Sequence, residues 1–144
     1  MILFANKNKF KKYQKLKHRL IGKENRYVIP KVGVFGLKFL GSIRLSVQQI
    51  EAVRKVIRRK MLKKIKEHVK ISVFPDLPVT RKSSGVRMGK GKGNINFWCF
   101  PVNAGRIVFE LGGGIPKYNA YSCLLAGANK LPFKCRVVLN LKNS

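Results

Sequence analysis

The sequence predicts an α+β fold: a single domain with a largely antiparallel sheet packed with two helices, plus a basic N-terminal extension and a Gly-rich basic loop. Three observations lead there. Between Val47 and Ile65 apolar residues recur at three- and four-residue spacing, which a helix gathers onto one face. A second apolar stripe follows Pro116, a residue suited to the first helical position. Elsewhere, short runs rich in Val, Ile and Phe are bounded by Gly, Pro and Asn, the punctuation of strands. A chain of 144 residues fits one domain, and at that size roughly 70% of the unfolded surface is buried.

Taken in order, Val32 to Leu40 (VGVFGLKFL) reads as a strand or a pair of short strands, bent at Gly33 and Gly36 and closed by Gly41. Ser46 is a good N-cap, and Gln49 three residues on completes a capping box. Val47, Ile50, Val53, Ile57, Met61 and Ile65 then form the apolar face of the first helix. Arg54, Lys55, Arg58, Arg59, Lys63 and Lys66 fall mostly on its other faces. Ile71 to Phe74 is a strand ended by Pro75. Ile95 to Val102 and Arg106 to Leu111 read as a hairpin, joined by Asn103-Ala104-Gly105 with Gly where a left-handed residue is needed. Ala120, Tyr121, Leu124, Leu125 and Ala128 make the stripe of the second helix, which Pro132 stops before a last strand, Phe133 to Leu139.

Charge narrows the function. There are 32 Lys and Arg against 5 Asp and Glu, a formal net charge of +27. Such a chain repels itself unless a polyanion offsets it. Nucleic acid does so, because each neutralised phosphate releases condensed counterions. No apolar run approaches the roughly 18 residues of a membrane-spanning helix, so membrane insertion is not expected. Cys99, Cys123 and Cys135 form no CxxC pair, and His18 and His68 have no Cys or carboxylate at ligand spacing. Neither a disulfide framework nor a metal is expected, and no cofactor. The acidic residues Glu24, Glu51, Glu67, Asp76 and Glu110 are scattered, which leaves paired-carboxylate or metal-dependent catalysis without ligands.

The cations are uneven: residues 1–70 hold 21 of the 32. Residues 1–30 read as a basic RNA-binding extension, with Lys7, Lys9, Lys11, Lys12, Lys15, Lys17 and Arg19 on an arm that Phe10, Tyr13 and Leu16 interrupt. Residues 31–144 read as the globular domain, with Lys38, Arg44, Arg54, Lys55, Arg58 and Arg59 as further phosphate contacts. Between strands lies Thr80 to Asn94, TRKSSGVRMGKGKGN. Its glycines permit close backbone approach, and Arg81, Lys82, Arg87, Lys90 and Lys92 supply charge. No register fits a P-loop, and an Asn stands where the dinucleotide pattern needs its third Gly.

As a literal string, VRMGKGKGN resembles the hallmark of the bacterial-type large-subunit ribosomal L-sixteen family. The segments FGLKFLGSIRLSVQQIEAVRK, VFPDLPVT, GRIVFELGG and ANKLPFK are similar to that family's in order and spacing. The resemblance implies a non-enzymatic protein lodged in large-subunit rRNA beside neighbouring ribosomal proteins, with no homo-oligomer. It implies that the arm threads into rRNA. It also implies that Arg81, Lys82, Arg87, Met88, Gly89, Lys90, Gly91, Lys92 and Gly93 face the A-site tRNA in its accommodation corridor near the peptidyl-transferase centre. Arg87 matches a loop arginine hydroxylated in some members. This chain departs from the family at Ser83 and Ser84, where many members have Pro. It also departs in an arm with Lys in place of several Arg, which keeps charge but loses the bidentate fork, and at Gly112 to Tyr118, where acidic residues are missing. The rival reading without the resemblance is another basic nucleic-acid binder, such as a nucleoid protein. The match begins almost at Met1, which leaves no room for a cleaved presequence. With the Lys, Asn and Ile richness, that points to a mitochondrial, organelle-encoded origin, with bacterial cytoplasm or plastid as alternatives.

Overall fold

The computed structural model describes residues 11–14, 22–61, 69–112 and 114–140. Within them the chain runs β1 (Phe35–Phe39), β2 (Ile43–Ser46), α1 (Val47–Lys60), β3 (Lys70–Ile71), β4 (Leu77–Arg81), β5 (Asn94–Val102), β6 (Ile107–Leu111), α2 (Lys117–Ala128) and β7 (Cys135–Leu139). The class is α+β as predicted, but the strands divide into two antiparallel sheets, ordered β3-β6-β1-β7 and β2-β5-β4. The core lies between these sheets and the helices, with Leu37, Phe39, Leu45, Val53, Ile57 and Phe109 all fully buried.

The first helix forms as its sequence dictates. Ser46 Oγ accepts from Gln49 N at 3.3 Å and Gln49 Oε1 accepts from Ser46 N at 3.0 Å, the reciprocal capping box. Ile50, Val53 and Ile57 are the buried stripe, and Met61 is buried at the C-cap. Ile65, Lys63 and Lys66 lie outside the described residues. Arg58, Arg59 and Lys60 occupy the last turn, where cations favour the negative end of the helix dipole. Against this stripe α2 packs closely. A Cβ on Gly127 would come within 2.9 Å of Ile57 and 3.1 Å of Val53, so the crossing needs a residue without one.

Two expectations are corrected. The strands predicted as one hairpin, 95–102 and 106–111, do not pair: β5 lies between β2 and β4, and β6 between β3 and β1. Gly105 does adopt a left-handed φ of 92°, but the connection carries the chain from one sheet to the other. The actual hairpin is β4–β5, with Leu77 opposite Cys99 and Arg81 opposite Asn94. On α2 the buried face is Ala120, Cys123, Leu124 and Gly127, whereas Tyr121 and Leu125, placed on the stripe by spacing, are exposed.

Residues 22–32 strap one face of the larger sheet. Ile107 N donates to Tyr27 O at 2.8 Å and Glu24 N to Ala104 O at 2.8 Å. Glu110, on β6, is 2% exposed, and its Oε2 accepts from Val32 N at 3.0 Å and Gly33 N at 3.2 Å. Arg106 lies between the rings of Tyr27 and Phe100, 4.5 and 4.9 Å from their centroids, and pairs with Glu24 at 3.0 Å.

Candidate nucleic-acid interface

The geometry of the glycine loop follows from the pairing of β5. Its C-terminal half, Cys99 to Val102, pairs with β2, while Asn94 to Trp98 have β4 as their only partner strand among the described residues. The ribbon therefore projects beyond the sheet by roughly 17 Å, five residues at strand rise. The loop sits at its tip. Every residue from Arg81 to Lys92 is exposed. Gly85, Gly89 and Gly91 take φ values of 87°, 95° and 78°, which turn the backbone repeatedly in a short span. Between them stand the exposed cations Arg87 and Lys90. Met88 is 95% exposed, an apolar side chain presented at the tip. Gly93 sits at the loop base, where a Cβ would meet Arg81 O at 2.4 Å.

One piece of the arm meets this loop. Lys12 Nζ donates to Lys92 O at 3.0 Å, and Lys92 Nζ donates to Tyr13 O, so each ammonium caps a carbonyl of the other segment. Behind the contact a cavity of about 170 Å³ is lined by Tyr13, Gln14, Arg44, Thr80 and Lys92. The arm, β2 and the loop base thus form one cationic corner, in which Lys11 and Lys12 are exposed and Arg44 is half-buried. Lys7, Lys9, Lys15, Lys17 and Arg19 lie outside the described residues.

The second cationic surface is α1. Lys55, Arg58 and Arg59 are exposed, as is Lys60, which sequence reasoning missed although it extends the same basic run. Arg54 differs: its Nε is 2.8 Å from Glu51 Oε2 and its terminal nitrogen 2.5 Å from Glu51 Oε1. The hydrogen bond from Arg54 holds the Glu51 carboxyl below its ordinary pKa. Lys38 is half-buried on β1.

Three of the carboxylates among the described residues are engaged within the fold. Glu24 is spent on Arg106, Glu51 on Arg54 and Glu110 on two backbone amides. Asp76 stands exposed and apart from these three. Among the described residues no group of three or more His, Cys, Asp or Glu is placed to hold a metal, and no helix is long and apolar enough to cross a membrane. What the arrangement offers is donors for phosphate and an exposed, glycine-jointed tip.

Comparisons with known proteins agree on one family. The model of ribosomal protein L16p/L10e matches residues 6–138. A protein of Caulobacter vibrioides named large ribosomal subunit protein uL16 is 41% identical over 140 residues, covering 97% of this chain and 94% of its own. The protein of the same name from Bartonella bacilliformis is 43% identical over 137 residues, covering 95% and 96%.

Proposed function

The chain belongs to the ribosomal protein L16p/L10e family, and on that premise we propose that it is a structural constituent of the large ribosomal subunit. In this reading it is held by large-subunit rRNA and neighbouring ribosomal proteins, and the rRNA does the chemistry. Of the basic extension, residues 1–30, the part ahead of residue 22 threads into rRNA in this reading, while residues 22–30 pack on the domain of residues 31–144 that carries the loop of residues 80–94. Lys55, Arg58 and Arg59 lie against phosphates, and Arg81 to Gly93 border the A-site tRNA in its accommodation corridor. The observation that carries the reading is the projecting ribbon, whose tip combines three left-handed glycines, uninterrupted exposure and cations with no carboxylate nearby in sequence.

The test is subunit incorporation. Neutralising Arg54, Arg58 and Arg59 together should impair entry into the large subunit while the isolated domain still folds. Arg58 and Arg59 should account for most of the loss, since Arg54 is already engaged by Glu51. Normal incorporation of the triple variant would remove α1 as an rRNA surface. Sedimentation of the native chain with the nucleoid instead of with subunits would favour the DNA-coating alternative. The mitochondrial placement is part of the proposal and rests on the Lys, Asn and Ile richness. The bacterial relatives fit bacterial cytoplasm equally, and the location of the coding sequence decides.

A further inference from the structure

Helix α2 carries apolar and aromatic residues on more than one side, although its buried face is Ala120, Cys123, Leu124 and Gly127. Only one side is covered among the described residues, by α1, β1 and β7. On the other, Tyr118, Tyr121 and Leu125 are 83%, 52% and 44% exposed. They stand three and four residues apart, on one face. Between this face and β7, an edge strand of its sheet, runs a groove of about 590 Å³ lined by Phe35, Lys117, Tyr118, Tyr121, Val137 and Leu139. Neither surface described above includes it.

Charge selects the occupant. From Leu111 to Ser144 the chain has Lys117, Lys130, Lys134, Arg136 and Lys142 and not one Asp or Glu. Tyrosines beside the ammonium of Lys117, the charged residue lining the groove, match an unpaired nucleotide: a base stacks on tyrosine and the flanking phosphate meets the cation. We propose that the groove between α2 and β7 binds an unpaired RNA nucleotide, its base stacked on Tyr118 and Tyr121 and its phosphate held by Lys117. The site deepens the rRNA-binding reading and rests on it.

The test uses the full chain with purified large-subunit rRNA. Tyr118→Ala with Tyr121→Ala should weaken binding about tenfold, the size of a lost stacking contact, at unchanged melting temperature. The Phe pair should bind as the parent does. Ultraviolet irradiation of native particles should leave a nucleotide adduct on Tyr118 or Tyr121. Unchanged affinity of the Ala pair overturns the proposal, as does crosslinking of these tyrosines to a protein with no nucleotide adduct. The two readings fail differently. Loss of affinity in the α1 triple variant but not in the Ala pair sinks the groove alone, whereas no rRNA affinity in the parent chain sinks both.

Discussion

Glu110 shows how one buried carboxylate holds a sheet to its cover. It is 2% exposed and its Oε2 takes the amides of Val32 and Gly33, just where the strap enters β1. Glu110→Ala leaves both N–H groups without that acceptor, and hydrogen bonds to a charged group contribute about 1.5–3 kcal/mol each. We expect a loss of about 3–6 kcal/mol in urea unfolding, and a smaller one for Glu110→Gln, which keeps an acceptor. Equal losses would mean that packing, and not hydrogen bonding, sets the value. Burial also governs the thiols. It pushes the Cys135 pKa up to about 11 and raises those of Cys99 and Cys123 as well. The thiolate is the reactive form, so alkylation of the native chain near pH 8 should be far slower than in urea. Mass spectrometry reads this directly, and fast modification of Cys135 would contradict its environment. At Glu51 the sign runs the other way. Its folded pKa is lowered, chiefly by the Arg54 hydrogen bond. The pair therefore stabilises above the usual carboxylate range and loses its contribution as pH falls through the lowered value. For a half-buried i,i+3 pair on a helix surface that is roughly a few tenths of a kcal/mol.

Among the elements, the β4–β5 ribbon and α1 have opposite relations to the core. The loop at the ribbon tip buries almost nothing, and the arm ties to it through the Lys12–Lys92–Tyr13 exchange. Shortening the Gly89–Gly93 segment should therefore leave the melting temperature and, in part, assembly intact while slowing tRNA accommodation. Unchanged accommodation kinetics on the altered ribosomes would reduce the loop to a connector. Trp98, at the base of the same ribbon, is half-buried opposite Pro78. Full burial would make Trp98→Ala cost about 3–5 kcal/mol; half-burial places the cost below that range. By contrast α1 is anchored by its stripe and by the close approach of Gly127, so its cations are held on a rigid support.

At the level of the whole molecule, the net charge of +27 outweighs every other property of the surface. If about six to ten of these cations meet phosphates, affinity for rRNA should fall roughly 10³–10⁵-fold between about 50 and about 200 mM salt. A filter-binding series gives the slope, and a flat one would mean that the cations do not face RNA. Among the described residues Glu24, Glu51 and Glu110 each have a partner within the fold, which leaves Asp76 as the exposed carboxylate among many exposed cations.

Much of this was legible in the residues alone. The capping box and stripe of α1, the left-handed turns of the glycine loop and the charge excess need only neighbours within a few positions, and local hydrogen bonding and periodicity encode them. The family was legible by resemblance, in VRMGKGKGN together with the other segments that keep that family's order and spacing. Strand partnership was not legible. Residues 95–102 and 106–111 look like a hairpin at short range, yet β5 and β6 belong to different sheets, because long-range burial chose partners that spacing cannot rank. The face of α2 was likewise settled by what packs on it: Gly127 fits the tight crossing over Val53 and Ile57, which puts Ala120, Cys123 and Leu124 on the buried face and turns Tyr121 and Leu125 outward. Tertiary structure also decided that Arg106 is spent internally, since its partner Glu24 is 82 residues away, whereas the Glu51–Arg54 pair, three residues apart on one helix, lay within reach of the sequence.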